Sequence, residues 1–320
     1  MTPVLEADTL RRFYRQRRML RRGTEVRAVD GVSFTLAAGR TLAVVGESGC
    51  GKSTLARMLA LLDAPTAGEI RIEGKPASAA DLATRRAVQM VFQDPYGSLN
   101  PRQTVGDILK EPLLIAGESP ARQREAALAM MSNVGLRPDQ FDRYPHQFSG
   151  GQRQRIAIAR ALMLHPKVVI ADEPVSALDV SVRAQVLNLM IELQDRLGLA
   201  YVFISHDLGV VRHMADEVAV MYLGRIVEQA PRTALFTTPL HPYTRALLEA
   251  TPGLVPSTGR PEAVRGEPPS PLAPPPGCHY HTRCPHAQPV CREVVPLLRT
   301  VGDTRAACHF ADALPVPTPG

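Results

Sequence analysis

Tryptophan is absent from this 320-residue sequence, and aromatic residues make up only 5% of it. Proteins that hold single-stranded nucleic acid stack its bases on aromatic rings, and so sparse a set offers no such platform. Also missing is any apolar run of about 18 residues, which excludes a membrane-spanning helix. No apolar segment follows the basic stretch near the N-terminus, so a secretory signal peptide is not expected and the cytosol is the expected compartment. Acidic residues are outnumbered by basic ones, 31 to 37. The densest basic run is Arg11, Arg12, Arg15, Arg17, Arg18, Arg21 and Arg22. Such a run serves an anionic partner or simply a solvated surface. With no stacking platform beside it, no nucleic-acid partner is expected. Cysteine is scarce too, with five in all, yet four of them crowd together at 278, 284, 291 and 308. In a cytosolic protein that clustering reads as metal binding before disulfides.

What the sequence does contain is enough apolar residue, 45%, to bury a sizeable core. Val32, Phe34 and Leu36 alternate with polar or small residues, as in a half-buried strand. Thr41–Val45 and Ala87–Phe92 are short apolar runs suited to buried strands. A helix is expected from Lys52, with Leu55, Met58, Leu59 and Leu62 on one face. Ile70 and Ile72 alternate between Gly68 and Gly74, as in a hairpin. Residues 103–165 read as helical, with breaks at Pro112, Pro120, Pro138 and Pro145. Strand and helix then alternate: Val168–Ala171, Ser181–Leu197, Ala200–Ser205, and a hairpin from Glu217 to Gln229. That alternation predicts an α/β core with parallel strands. Pro252–Pro276 is rich in proline and reads as a linker or wrapped segment.

The run Gly46-Glu47-Ser48-Gly49-Cys50-Gly51-Lys52-Ser53-Thr54 fits the phosphate-loop pattern, between an expected strand and an expected helix. Glycines let successive backbone N–H groups face phosphate oxygens, and the helix start adds its positive dipole end. Lys52 is expected on the β- and γ-phosphates of ATP and Ser53 on Mg2+. A phosphate loop needs a second, acidic site, and Val168–Glu173 supplies one at a strand's C-terminal end. Asp172 is expected to hold the magnesium ion and Glu173 to act as general base on the attacking water. Phe148-Ser149-Gly150-Gly151-Gln152 opens another expected helix, and a serine with two glycines there makes a second anion site. Two phosphate sites with one phosphate loop suggest a nucleotide shared between chains.

That last motif resembles the signature of the ABC transporter ATPases, with Phe148 where leucine is usual. The resemblance implies a RecA-like P-loop NTPase core with an antiparallel β subdomain and a helical subdomain at about 95–165. It implies a nucleotide-binding domain over residues 1–250 and a small, irregular, Cys-rich C-terminal tail over 251–320. It also implies head-to-tail pairing, in which Ser149, Gly150, Gly151 and Gln152 cap the ATP held by the neighbour's loop. Gln93 matches the glutamine that touches Mg2+ and water. Ser176–Asp179 matches the loop that includes Asp179, and His206 matches the switch histidine on the γ-phosphate. Tyr14 is the expected adenine-stacking aromatic, with Phe13 as the alternative. Gln93–Pro101, His241-Pro242-Tyr243-Thr244 and the ending Gly277–His309 resemble more closely the second, F-type ATPase of bacterial dipeptide/oligopeptide importers. The implied partners are a second ATPase subunit of D type forming a heterodimer, two membrane permease subunits and an external peptide-binding protein. The implied location is peripheral, on the cytoplasmic face of the inner membrane. Nickel chelates or opines are alternative cargoes, and a nucleic-acid-associated ABC ATPase is the more distant reading.

The spacing C-x5-C-x6-C-x16-C from Cys278 through Cys284 and Cys291 to Cys308 lacks the paired CxxC of common zinc sites. The resemblance implies a [4Fe–4S] cluster on these four thiolates. His279, His281, His286 and His309 lie nearby and leave zinc or mixed ligation open.

Overall fold

The structure, a computed structural model, describes residues 3–15, 25–251 and 266–314. Twelve strands lie among these residues: β1 (Leu5–Arg15), β2 (Glu25–Leu36), β3 (Thr41–Val45), β4 (Ala67–Ile72), β5 (Lys75–Pro76), β6 (Val88–Val91), β7 (Val168–Asp172), β8 (Ala200–Ile204), β9 (Glu217–Tyr222), β10 (Arg225–Pro231), β11 (Arg299–Val301) and β12 (Thr304–Ala306). They form two sheets. An antiparallel one runs β2-β1-β4-β5 and the larger runs β11-β12-β10-β9-β3-β8-β7-β6. From β6 through β7, β8 and β3 to β9 the larger sheet is parallel. Beyond β9 it is antiparallel.

β7 and β8 read as unbroken apolar runs because both faces of a parallel sheet are covered. Successive side chains go to opposite faces. Val169, Ala171, Tyr201 and Phe203 enter a core shared with the helices of the middle third. Val168, Ile170, Val202 and Ile204 enter a second core with the helix Lys52–Leu59 and strands β1 and β2. β8 stands between β3 and β7, so the phosphate loop after β3 and the acidic end of β7 flank its C-terminal end, held from both faces.

Some sequence expectations needed revision. The helix at Lys52 ends at Leu59, and Leu62 lies beyond it, 51% exposed. Pro112 does not break a helix but sits inside Val105–Ile115. It deprives the Ile108 carbonyl of a partner, yet the buried face through Ile108, Leu109 and Leu113 carries the helix one turn further. Pro120 opens Pro120–Asn133 and Pro138 and Pro145 open short 3-10 turns, positions where a missing N–H costs nothing. The C-terminal tail is not merely irregular. Its β12 pairs with β10, Glu228 opposite Ala306, so β11 and β12 extend the main sheet.

Part of the Arg-rich run and most of Pro252–Pro276 lie outside the described residues. Of the described arginines, Arg11 lies 3.8 Å from Asp30 and Arg15 lies 3.1 Å from Glu25. Arg12 donates to the Ala64 carbonyl. Among the described residues no helix is long and apolar enough to cross a membrane.

Candidate active site: the phosphate-loop cleft

The strand β3 delivers the chain into the phosphate loop, and Gly51 caps the helix that follows. Gly51 has φ of 109°, and a Cβ there would lie 2.0 Å from the Ala28 carbonyl oxygen. No other residue type fits that contact with that backbone. The helix forms because Leu55, Ala56, Met58 and Leu59 are buried beneath it. Lys52 is buried, and its Nζ donates to the Gly46 and Glu47 carbonyls at 2.8 and 3.0 Å. Cys50 is buried beside it, and burial pushes its thiol pKa up, which keeps it a small neutral filler.

Ser53 Oγ lies 3.4 Å from Asp172 Oδ1, so the loop and the end of β7 meet. Burial raises the Asp172 pKa, the Ser53 hydroxyl opposes the rise and the Glu173 charge adds to it. A divalent cation between Ser53 and Asp172 would favour the ionised carboxylate. The next residue, Glu173, adopts φ of 47°, a left-handed conformation unusual for a side chain of its size. Its amide donates to the Ile204 carbonyl, and its carboxylate is held on both oxygens. Gln93 Nε2 donates at 3.1 Å and His206 Nδ1 lies at 3.0 Å. The ends of β6, β7 and β8 thus bring three polar side chains to one point, where ligands gather in open α/β sheets.

These groups line one cleft of about 530 Å3 that includes Ser48, Gly49, Cys50, Gly51, Lys52, Ser53, Thr54, Gln93, Glu173 and His206. Sequence reasoning missed the rest of its wall: Val26, Arg27 and Ala28 from β2, Leu223 and Gly224 from the turn after β9, and Pro271. None carries a local signal, because tertiary folding alone brings β2, the turn after β9 and Pro271 to the loop. Tyr14 does not line the cleft. It pairs with Val26, which does, but its hydroxyl bonds Asp63 at 3.4 Å and Arg12 lies over its ring. Phe13 sits under the Arg27 guanidinium instead.

Ser149 caps the helix Gly150–Leu162. Its hydroxyl accepts from the Gln152 amide, and the Gln152 side chain accepts from the Ser149 amide, the reciprocal arrangement of a capping box. Gly151 is needed for packing, since a Cβ there would come within 2.3 Å of Val182. Ser149 is exposed and does not line the cleft. Asp179, at the start of Val180–Leu197, is exposed as well.

The four tail cysteines line one small cavity together with His281, His286 and His309. Burial pushes the Cys278 and Cys284 thiols up to about 11 and raises Cys308. Among the described residues, however, no three His, Cys, Asp or Glu side chains are gathered tightly enough to hold a metal ion.

Residues 29–176 match the family model described as ABC transporter, and residues 227–291 match the one described as Oligopeptide/dipeptide transporter, C-terminal region. The chain is 57% identical to the Di/tripeptide transport ATP-binding protein DppF of Pseudomonas aeruginosa (strain UCBPP-PA14), over 98% of this chain and 99% of that one. It is 57% identical to the Dipeptide transport ATP-binding protein DppF of Escherichia coli (strain K12), over 97% and 95%. With the Oligopeptide transport ATP-binding protein AppF of Bacillus subtilis (strain 168) identity is 49%, over 96% and 97%. Among solved structures, it is similar to the ATP-binding cassette MJ0796 in a dimeric post-hydrolysis state bound to ADP and Pi. There the TM-score is 0.62 and identity 27%, over 71% of this chain and 98% of that one. It is also similar to cbiO1 from Clostridium perfringens, part of the ABC transporter complex cbiONQ, with TM-score 0.64 and identity 26%, over 74% and 91%.

Proposed function

This chain belongs to the ABC transporter family, among the ATP-binding proteins of dipeptide and oligopeptide transporters, and we propose that it binds and hydrolyses ATP to drive peptide import through separate permease subunits. The observation that carries this reading is the meeting of Lys52, Ser53, Asp172, Glu173, Gln93 and His206 around one cleft, with Ser149 outside it. A complete set of groups for phosphoryl transfer is present, and the second anion site faces elsewhere.

In this mechanism Ser53 and Asp172 would hold the magnesium ion, which would supply charge neutralisation at the phosphate oxygens. Lys52 leaves the two loop carbonyls and moves onto the β- and γ-phosphates. Glu173 accepts a proton from the attacking water, and its two present partners, Gln93 and His206, fix where its oxygens point. His206 then contacts the γ-phosphate as well. Catalysis is positioning and charge neutralisation. The nucleotide is completed by Ser149, Gly150, Gly151 and Gln152 of a neighbouring cassette, with Asp179 near the junction. The dimeric, ADP- and Pi-bound state of the similar cassette supports that arrangement.

We further read the neighbour as a D-type ATPase subunit in a heterodimer. The assembly lies at the cytoplasmic face of the inner membrane with two permease subunits and an external binding protein. For the tail we propose a [4Fe–4S] cluster on Cys278, Cys284, Cys291 and Cys308. The lining of one cavity by all four thiols supports it, and the thiols would have to draw closer than they stand here to hold the metal.

Replacing Glu173 by Gln tests the catalytic assignment. The variant is expected to bind Mg-ATP as the wild type does while its turnover falls on the order of 100-fold or more. Turnover within about ten-fold of wild type would remove Glu173 as the base.

A further inference from the structure

The second residue of the phosphate loop, Glu47, is held by parts of the chain far away in sequence. Its amide donates to the Tyr243 hydroxyl at 2.9 Å, across 196 residues of sequence. Its two carboxylate oxygens accept from the two terminal nitrogens of Arg283 at 2.8 and 2.9 Å, across 236 residues. Its carbonyl accepts from Lys52 Nζ at 3.0 Å. Amide, side chain and carbonyl of one loop residue are therefore all engaged, two of the three by the C-terminal part of the chain.

Arg283 is itself fixed. Its side chain is 5% exposed, its guanidinium lies 5.9 Å from the ring centres of both Tyr222 and Tyr280, and one nitrogen also reaches the Tyr222 hydroxyl. Tyr222, Tyr243 and Tyr280 pack against one another. The ion pair with Glu47 keeps the Arg283 pKa high against its burial. A bidentate pair with one partner buried differs from a loose surface pair.

The electrostatic consequence follows from where Glu47 stands. The loop around it is built to receive a polyanion, and an unpaired carboxylate in it would oppose a triphosphate. We infer that Arg283 is a positioning residue for ATP binding, acting through Glu47: it neutralises that carboxylate and, with Tyr243, holds the loop in its receiving shape. The C-terminal segment thereby sets the loop's affinity for nucleotide. This rests on the reading of the cleft as an ATP site.

The test uses the full chain and Mg-ATP, comparing wild type, Arg283→Gln, Arg283→Lys and the double variant Arg283→Gln/Glu47→Gln by binding titration and steady-state turnover. Arg283→Gln is expected to raise the ATP dissociation constant and KM on the order of ten-fold, because one partner of a partly buried pair is left charged and alone. Its kcat is expected within about two-fold of wild type, since no reacting atom is touched. Arg283→Lys should fall between, because a lysine restores charge without the two-pronged geometry. The double variant should recover ATP affinity to within about three-fold of wild type, the isolated carboxylate being gone. An effect confined to packing of the tail would not recover in that way. Unchanged KM in Arg283→Gln, or a double variant no tighter than Arg283→Gln, would overturn the inference while leaving wild-type ATP binding in place. Wild-type chain that bound no Mg-ATP would overturn the ATP reading of the cleft and this inference with it.

Discussion

A buried titratable side chain reports what folding does to a single residue. His241 is 1% exposed; its Nδ1 accepts from the Tyr243 amide, and its own amide donates to the buried Glu228 carboxylate. Burial pushes its pKa from 6.5 down to about 3, and the charge of Arg245 adds to that. Between those values the unfolded chain binds a proton that the folded chain does not. Stability therefore falls as pH drops below about 6.5, and by pH 5 this one residue removes about 2 kcal/mol. An asparagine keeps a side-chain acceptor for the helix start without titrating. In denaturant titrations of the full chain, His241→Asn should lose about 2 kcal/mol less than wild type between pH 7 and pH 5. Equal losses would show that other groups govern the acid response. At this scale the sequence was most legible where chemistry fixes both residue type and order, as in Gly51-Lys52-Ser53 and Asp172-Glu173. It was silent on Arg283 and Glu47, whose pairing spans 236 residues and depends wholly on the fold.

Among elements, those with a strong apolar run were readable and those too short to show any pattern were not. β7, β8 and the helix Val180–Leu197 stand where their apolar runs put them. β11 and β12 have three residues each, too few for alternation to show. Their place in the sheet is set by pairing with β10, which no local pattern announces. Tyr14, an aromatic at the end of β1, has the position expected of an adenine-stacking ring, while its hydroxyl bonds Asp63 and Arg12 lies over its ring. The tail carries its own prediction. Full chain purified without oxygen should contain about four iron atoms, with a broad absorbance near 400 nm, and Cys291→Ser should lose both. Zinc in place of iron, or no metal at all, would contradict the cluster. Loss of iron with kcat kept within about two-fold is the expected result for Cys291→Ser, since the cysteine cavity and the phosphate-loop cleft have separate walls.

On the scale of the whole molecule, the proposed function assigns the two candidate anion sites of one chain to different nucleotides. The cleft is lined by Ser48 to Thr54 of the loop, Glu173, Gln93 and His206, while Ser149 at its helix start is exposed and does not line it. The sequence disclosed both sites through their serine, glycine and lysine content, yet only the three-dimensional arrangement separates them. In the proposed function, catalytic groups completed by a neighbour would act only when the two close, which would make ATP binding and mechanical closure one event. The most direct measurement is a structure of the assembled transporter carrying Glu173→Gln and loaded with Mg-ATP. Ser149 Oγ of this chain should lie about 3 Å from a γ-phosphate oxygen of the ATP seated in the adjoining subunit's phosphate loop. Nucleotide walled in by a single subunit, with Ser149 facing solvent in that closed state, would contradict it.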